Sequence, residues 1–255
     1  MISPVDQISG HKIIYLDSVT STNDYLKNIA DNNIEEGTVV IAETQTDGRG
    51  RNGKKWISPK GKGLTFSILL YPKIKLNQVL IFSYIPVIVL TKVLIQQFNL
   101  FASIKWPNDV YVNNKKIAGI LSESVIYKKS LKYFIAGIGI NLNQNLNDFS
   151  DELQEVASSL RIILKKNIDK EFFLFNFLKE FDILFQTIKI SSNWENDIVN
   201  EWHNLCNHIN SRVQLISKND NFYGVFKGIT KTGEAIIKTD QNIIKTVNID
   251  NFSLR

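Results

Sequence analysis

The chain has 255 residues, 44% of them hydrophobic and 22% charged, which is enough to bury a sizeable core and ordinary for a soluble globular protein. Its single cysteine, Cys206, excludes an internal disulfide and fits a reducing, cytoplasmic compartment, and Met1–Asp6 lacks the build of a signal peptide. The net charge of +5 would suit a nucleic-acid binder, but all of that excess comes from one segment: Thr46–Lys62 holds six basic residues against Asp47, while the remaining 24 basic and 24 acidic residues balance.

Taken in chain order, Lys12–Leu16 reads as a short strand, and Ser21-Thr22-Asn23 opens a helix through Ala30 with a hydroxyl able to cap it. Thr38–Glu43 is β-branched and reads as a buried strand. A basic glycine loop follows to about Lys62, and Leu64–Tyr71 is the next strand, so the loop joins strand to strand. Asn77–Phe98 reads as a helix with a kink at Pro86. Its most apolar part, Val79–Thr91, is shorter than the ~20 residues of a membrane span, so a buried core helix is expected and no membrane association. Strands follow at 104–106, 110–112, 117–125 and 133–141, with Asn113-Asn114 as a turn. Residues 169–188 and 196–205 have helical spacing. Beyond Ile209 come four or five short strands, punctuated by Asn219-Asp220 and Thr232-Gly233, which suggest a small antiparallel barrel. The expected division is therefore residues 1–208 and 209–255.

The loop Gly48-Arg49-Gly50-Arg51-Asn52-Gly53-Lys54 imitates two phosphate-binding patterns, the dinucleotide fingerprint and the P-loop. Both need a helix N-terminus directly after the glycines. Here Trp56 and Ser58-Pro59 follow, and then a strand, so neither mechanism is available. What remains is a flexible loop whose Arg49 and Arg51 lie close enough to grip one anion with planar, bidentate guanidinium forks. An exposed basic turn is the alternative. His203, Cys206 and His208 are set aside as a metal site, because their spacing matches no common zinc pattern.

Ser21-Thr22-Asn23, Gln45 with Gly48-Arg49-Gly50-Arg51 through Trp56, Lys105–Asp109, Lys116–Leu121 and Gly137–Asn141, in this order, closely resemble the biotin protein ligases that act on acetyl-CoA carboxylase. Ser158 with Leu160, and the terminal Gly228-Ile229, Gly233 and Ser253–Arg255, also look like that family. The resemblance implies an α+β fold: a catalytic domain similar to class II aminoacyl-tRNA synthetases, with a mixed sheet backed by helices on one side, then an SH3-like barrel. It implies that the biotin carboxylate attacks the α-phosphorus of ATP, and that a lysine of a biotin carboxyl carrier domain takes the acyl group. Two anions must be brought together, which calls for cations. Arg49, Arg51 and Lys116 are the matching candidates.

By the same resemblance Ser21, Thr22, Asn23 and Gln45 face the ureido head of biotin, with helix capping the other reading of the two hydroxyls. Gly119 and Ile120 line its thiophene and acyl chain, Trp56 and Asn141 are candidates for the adenylate, and Gly48, Gly50 and Asn108 complete the binding set. Asp109 assists magnesium or the incoming amine, or is simply a structural corner carboxylate. Asn52 and Lys54 depart from the arginines common at those loop positions. With only twenty residues ahead of Ser21, an enzyme without a DNA-binding arm is expected, and relatives often pair as homodimers. The rivals are a lipoate ligase or octanoyl transferase of the same superfamily, and a nucleic-acid-binding regulator.

Overall fold

Strands whose residues are all apolar need cover on both faces, and the architecture follows from that demand. The computed structural model describes residues 7–217, 221–248 and 252–254; the Asn219-Asp220 turn, the segment Met1–Asp6 and Arg255 lie outside these. The large sheet is built from β1 (Gln7–Ile8), β2 (His11–Leu16), β3 (Val39–Ala42), β4 (Leu64–Leu70), β5 (Ala102–Lys105), β6 (Asp109–Val112), β7 (Lys115–Tyr127) and β8 (Ser130–Ile140). Their order is β1-β2-β3-β4-β8-β7-β6-β5, and only β2 and β3 run parallel. The crossover between those two is α1 (Thr22–Ile29), which places the Ser21–Asn23 segment above the middle of the sheet.

Residues of β3 and β4 alternate strictly between two cores. Val39, Ile41, Phe66, Ile68 and Leu70 point into the main one, together with Phe134 and Ile138. Val40 and Leu69 point the other way and pack with Leu26 of α1, Ala30 at its C-terminal cap and Ile135. Helices therefore cover both faces, not one as expected: α1 lies on one, and α2 (Val79–Phe82), α3 (Ile85–Phe98), α6 (Lys170–Ile190) and α7 (Trp194–Leu205) back the other. The kink expected at Pro86 is a break at Ser83–Tyr84; Pro86 sits in the first turn of α3, where its missing N–H has no helical partner to lose. Nearly every residue of α3 from Ile85 to Leu94 is buried, so its apolar length serves the core.

Two short helices, α4 (Asp151–Val156) and α5 (Leu160–Leu164), follow β8 and escape the sequence reading. The chain closes with a five-stranded antiparallel sheet of β9 (Arg212–Ile216), β10 (Asn221–Ile229), β11 (Ala235–Thr239), β12 (Ile244–Val247) and β13 (Ser253–Leu254), ordered β12-β11-β10-β9-β13. A register shift between Phe226 and Gly228 bends its longest strand.

This second sheet docks tightly. Phe226 sits among Trp106, Trp202 and His208, with ring centroids 6.2, 6.0 and 4.5 Å away. Tyr84 Oη donates to the Gly233 carbonyl at 2.7 Å and receives a bond from Trp106 Nε1 at 3.1 Å. A methyl at Gly233 would lie 2.8 Å from the Ile81 amide nitrogen, so glycine is required for that approach, and its φ of +94° requires it as well.

Candidate active site

The face of the sheet that carries α1 is left bare beyond the helix, and there the strands turn to glycine. Gly137 and Gly139 of β8 project to this face, while their neighbours Ile138 and Ile140 enter the main core. Gly119 of β7 pairs with Gly139. The result is a cleft of about 430 Å³ floored by backbone.

The head of α1 forms a buried polar pit at one end. Thr22 N–H and Oγ1–H both donate to Gln45 Oε1, at 2.8 and 3.1 Å. Ser67 Oγ lies 2.6 Å from both Thr22 Oγ1 and Asn23 Oδ1. Asn23 Nδ2 donates to the Leu121 carbonyl at 3.1 Å and to the Glu123 carboxylate at 2.6 Å. Ser21 caps α1, accepting from the Asp24 amide. A Cβ at Gly137 would come within 2.3 Å of Asn23 Oδ1, so the pit closes only over glycine.

Midway along the cleft stands Lys116 at the start of β7. Its Nζ is 2.7 Å from Asp109 Oδ1 and 5.8 Å from the centroid of the Trp56 indole. That indole lies flat against the strand where Gly139 has no side chain, 2.3 Å from where a Cβ would stand. The corner carrying Asp109 has a cis Trp106–Pro107 bond and is clipped to β7, with the Ile120 amide donating to the Asn108 carbonyl at 3.0 Å and Asn108 Nδ2 donating to the Ile120 carbonyl. Burial and the Asp109 charge push the nearby Tyr111 phenol up to about 12, so it remains a neutral donor.

The structure brings to this one cleft Ser21, Thr22, Asn23, Gln45, Arg49, Gly50, Arg51, Trp56, Asn108, Asp109, Lys116, Gly119, Ile120 and Asn141. Gly48 is the exception: it faces a neighbouring depression, and its carbonyl receives the Trp56 amide at 2.8 Å, closing the base of the loop. Arg49 lines the cleft, but its guanidinium is engaged in ion pairs at the cleft's rim. Its Nη2 is 2.6 Å from Asp24 and 3.5 Å from Glu123, in a four-charge cluster completed by Lys27. Asn141 donates Nδ2 to the Ser158 carbonyl at 3.1 Å, and its backbone joins β7 to α5.

Among the described residues magnesium finds no ready-made cluster of ligands. Among the described residues no three His, Cys, Asp or Glu side chains cluster, and Asp109 already holds a lysine ammonium. The hard, six-oxygen shell of that ion would have to come almost wholly from phosphates and water. The His203–Cys206–His208 group is structural as well: burial pushes the Cys206 thiol up to about 12, away from the thiolate that metals need, and His203 Nε2 accepts the Ile229 amide at 3.1 Å.

Residues 15–141 match the Biotin/lipoate A/B protein ligase family and residues 208–253 match the biotin protein ligase C-terminal domain. The bifunctional ligase/repressor BirA of Bacillus subtilis is 32% identical over 244 residues, which span 96% of this chain and 74% of that protein. The chain belongs to the biotin protein ligase family. The ligase is also similar in three dimensions to a biotin protein ligase from Aquifex aeolicus solved in complex with biotin and ATP, with a TM-score of 0.81, 32% identity, and 95% and 98% of the two chains covered. A curated relative from Paracoccus denitrificans, a biotin–[acetyl-CoA-carboxylase] ligase, is 35% identical over 40% of this chain and 43% of its own. These relatives are named as biotin ligases and do not favour the lipoate rival.

Sequence reading missed Tyr111 and Gln144, which line the cleft, and Ser67 and Glu123, which hold Thr22 and Asn23 from behind. None carries a motif; the signal available for Ser67 was its hydroxyl within a largely apolar strand.

Proposed function

We propose that the cleft binds biotin with its ureido ring toward the Ser21–Asn23 and Gln45 pit and its carboxylate toward Lys116, where the α-phosphate of ATP meets it. The enzyme is an ATP-dependent biotin ligase. The observation that carries the assignment is the position of Lys116, a cation midway between the polar pit and the Asn141 end of one continuous cleft. The ureido ring needs donors and acceptors together, and the pit supplies hydroxyl and amide groups whose orientation its own network fixes.

The carboxylate of biotin then attacks the α-phosphorus, a bond to the β-phosphate oxygen breaks, and pyrophosphate leaves with biotinyl-5′-adenylate remaining. Lys116 and Arg51 supply positive charge where two anions converge, and Asp109 balances Lys116 before they arrive. The acyl group passes to a lysine amine of a biotin carboxyl carrier domain, of the kind found in acetyl-CoA carboxylase, releasing AMP. No enzyme nucleophile is required, since the adenylate is already activated.

The single cysteine supports a cytoplasmic setting for this reaction. Incubation with labelled biotin, labelled lipoate, ATP and an apo carrier domain tests the whole reading. Labelling of the carrier by biotin is expected, and labelling by lipoate alone would overturn it.

A further inference from the structure

One carboxylate stands behind the cleft and touches two of the groups that shape it. Glu123 lies on β7 past the point where the strand loses a neighbour. β6 pairs with β7 only as far as Gly119, and beyond it the edge shares a depression with the basic loop. From there the side chain meets three donors. Oε2 accepts from Asn23 Nδ2 at 2.6 Å and lies 3.5 Å from Arg49 Nη2, while Oε1 accepts from Lys27 Nζ at 2.6 Å. Asn23 belongs to the pit and Arg49 to the loop, so a single oxygen serves both.

The Asn23 contact is firm. The Leu121 carbonyl and the Glu123 carboxylate can only accept, so both hydrogens of Nδ2 are committed to them. Asn23 Oδ1 then takes the Ser67 hydroxyl at 2.6 Å, and the amide cannot turn over without setting acceptor against acceptor. Asn23 is 3% exposed, so losing the carboxylate leaves a buried donor unmatched. The Arg49 contact is looser. Its other partner, Asp24, is half-exposed, and ion pairs so open to water hold weakly.

We infer that Glu123 is a positioning residue for biotin recognition: it locks Asn23 in the pit and, through the same carboxylate, moors the loop by Arg49. The inference rests on the ligase reading above, which sets the ureido ring against Asn23. A carboxylate is needed because the three donors include two cations, whereas an amide oxygen could serve Asn23 alone.

Two variants separate the two tasks. Glu123→Gln keeps an oxygen for Asn23 and loses the charge that holds Arg49; Glu123→Met, similar in volume, loses both. Calorimetry with biotin alone should find affinity about 10- to 100-fold weaker in Glu123→Met, and within about 3-fold of wild type in Glu123→Gln. Trypsin cleavage within the ligand-free loop should quicken by about 2- to 5-fold in both. In pyrophosphate release, KM for biotin should rise far more than KM for ATP in Glu123→Met, a split that general loss of structure would not give. Wild-type affinity in Glu123→Met, an equal loss in the two variants, parallel rises in both KM values, or unchanged loop cleavage would each overturn the inference. Should Glu123→Met fail to fold, Glu123→Gln still decides: unchanged cleavage, or biotin binding weakened 10-fold or more, would overturn it. Absence of biotin binding by the wild type would instead bring down the ligase reading.

Discussion

Lys116 is shared between a carboxylate 2.7 Å away and an indole face 5.8 Å away, and neither partner outcompetes a pair of substrate anions. Exchange of Asp109 for carboxylate and phosphate lets the ammonium act mainly in the transition state. Lys116→Ala should therefore reduce adenylate formation by about 10²–10³-fold. Pyrophosphate release would check this, and a near-normal rate would remove Lys116 from the chemistry. The glycines give a sharper contrast. Gly137→Ala forces a methyl to within 2.3 Å of Asn23 Oδ1, whereas a methyl at Gly119 meets Asp109 and Lys116 only at 3.3 Å. Displacing Asn23 from Ser67 and Glu123 leaves buried polar groups unmatched, at a cost of ~1–3 kcal/mol. Calorimetry should thus find biotin binding about 10- to 100-fold weaker in Gly137→Ala and much less altered in Gly119→Ala. Similar affinities in the two variants would show that Asn23 is not part of the biotin pit.

Among the elements, the loop between β3 and β4 differs most in character from its surroundings. Its hydrogen bonds are largely internal, with the Gly50 amide donating to the Lys54 carbonyl at 2.7 Å and the Trp56 amide to Gly48 at 2.8 Å. Asn52 holds its turn at a φ of +56°. Arg49 anchors it to the body through half-exposed ion pairs, which stabilise weakly. A loop held this way should order further over bound adenylate. Limited proteolysis within Gly48–Lys62 is expected to slow with biotin plus ATP, and equal cleavage with and without ligand would contradict this. The sheet around the loop was legible in the sequence because β-branched runs and the Asn113-Asn114 turn are local signals; both asparagines indeed have positive φ. The pairing of Arg49 with Asp24 and Glu123 was not legible, since those partners lie 25 and 74 residues away and are brought together only by the fold. Gln144 escaped for a related reason: a lone amide past a strand gains its place in the cleft only from the fold. The cover on both faces could have been read from β3 and β4, where alternation is absent because every position is buried.

For the molecule as a whole, the junction with the second sheet governs stability. Burial, aided by the Lys105 charge, pushes His208 down to about 4 from its ordinary 6.5. The folded protein thus holds it neutral while the unfolded chain protonates it. Its contribution is complete above about pH 6.5 and is lost progressively as pH falls toward 4, reaching about 2 kcal/mol at pH 5. Melting temperatures should drop over that range, and His208→Phe should flatten the slope; an unchanged slope would place the titration elsewhere. Tyr84→Phe removes the hydroxyl between Trp106 Nε1 and the Gly233 carbonyl, leaving both buried groups unmatched. A loss of ~1–3 kcal/mol is expected, readable as a lower denaturant midpoint at unchanged slope. That same chain of bonds has a further meaning. Trp106 belongs to the corner that carries Asn108 and Asp109, so the far sheet reaches the cleft through Tyr84 and Trp106, and through the contact of Phe226 with the same indole. A fragment ending before Arg212 would keep every residue that lines the cleft among those described, yet the corner would lose its buttress. The terminal sheet thus steadies the cleft from outside it, and shortening the chain there should blunt turnover while leaving every residue that lines the cleft in place.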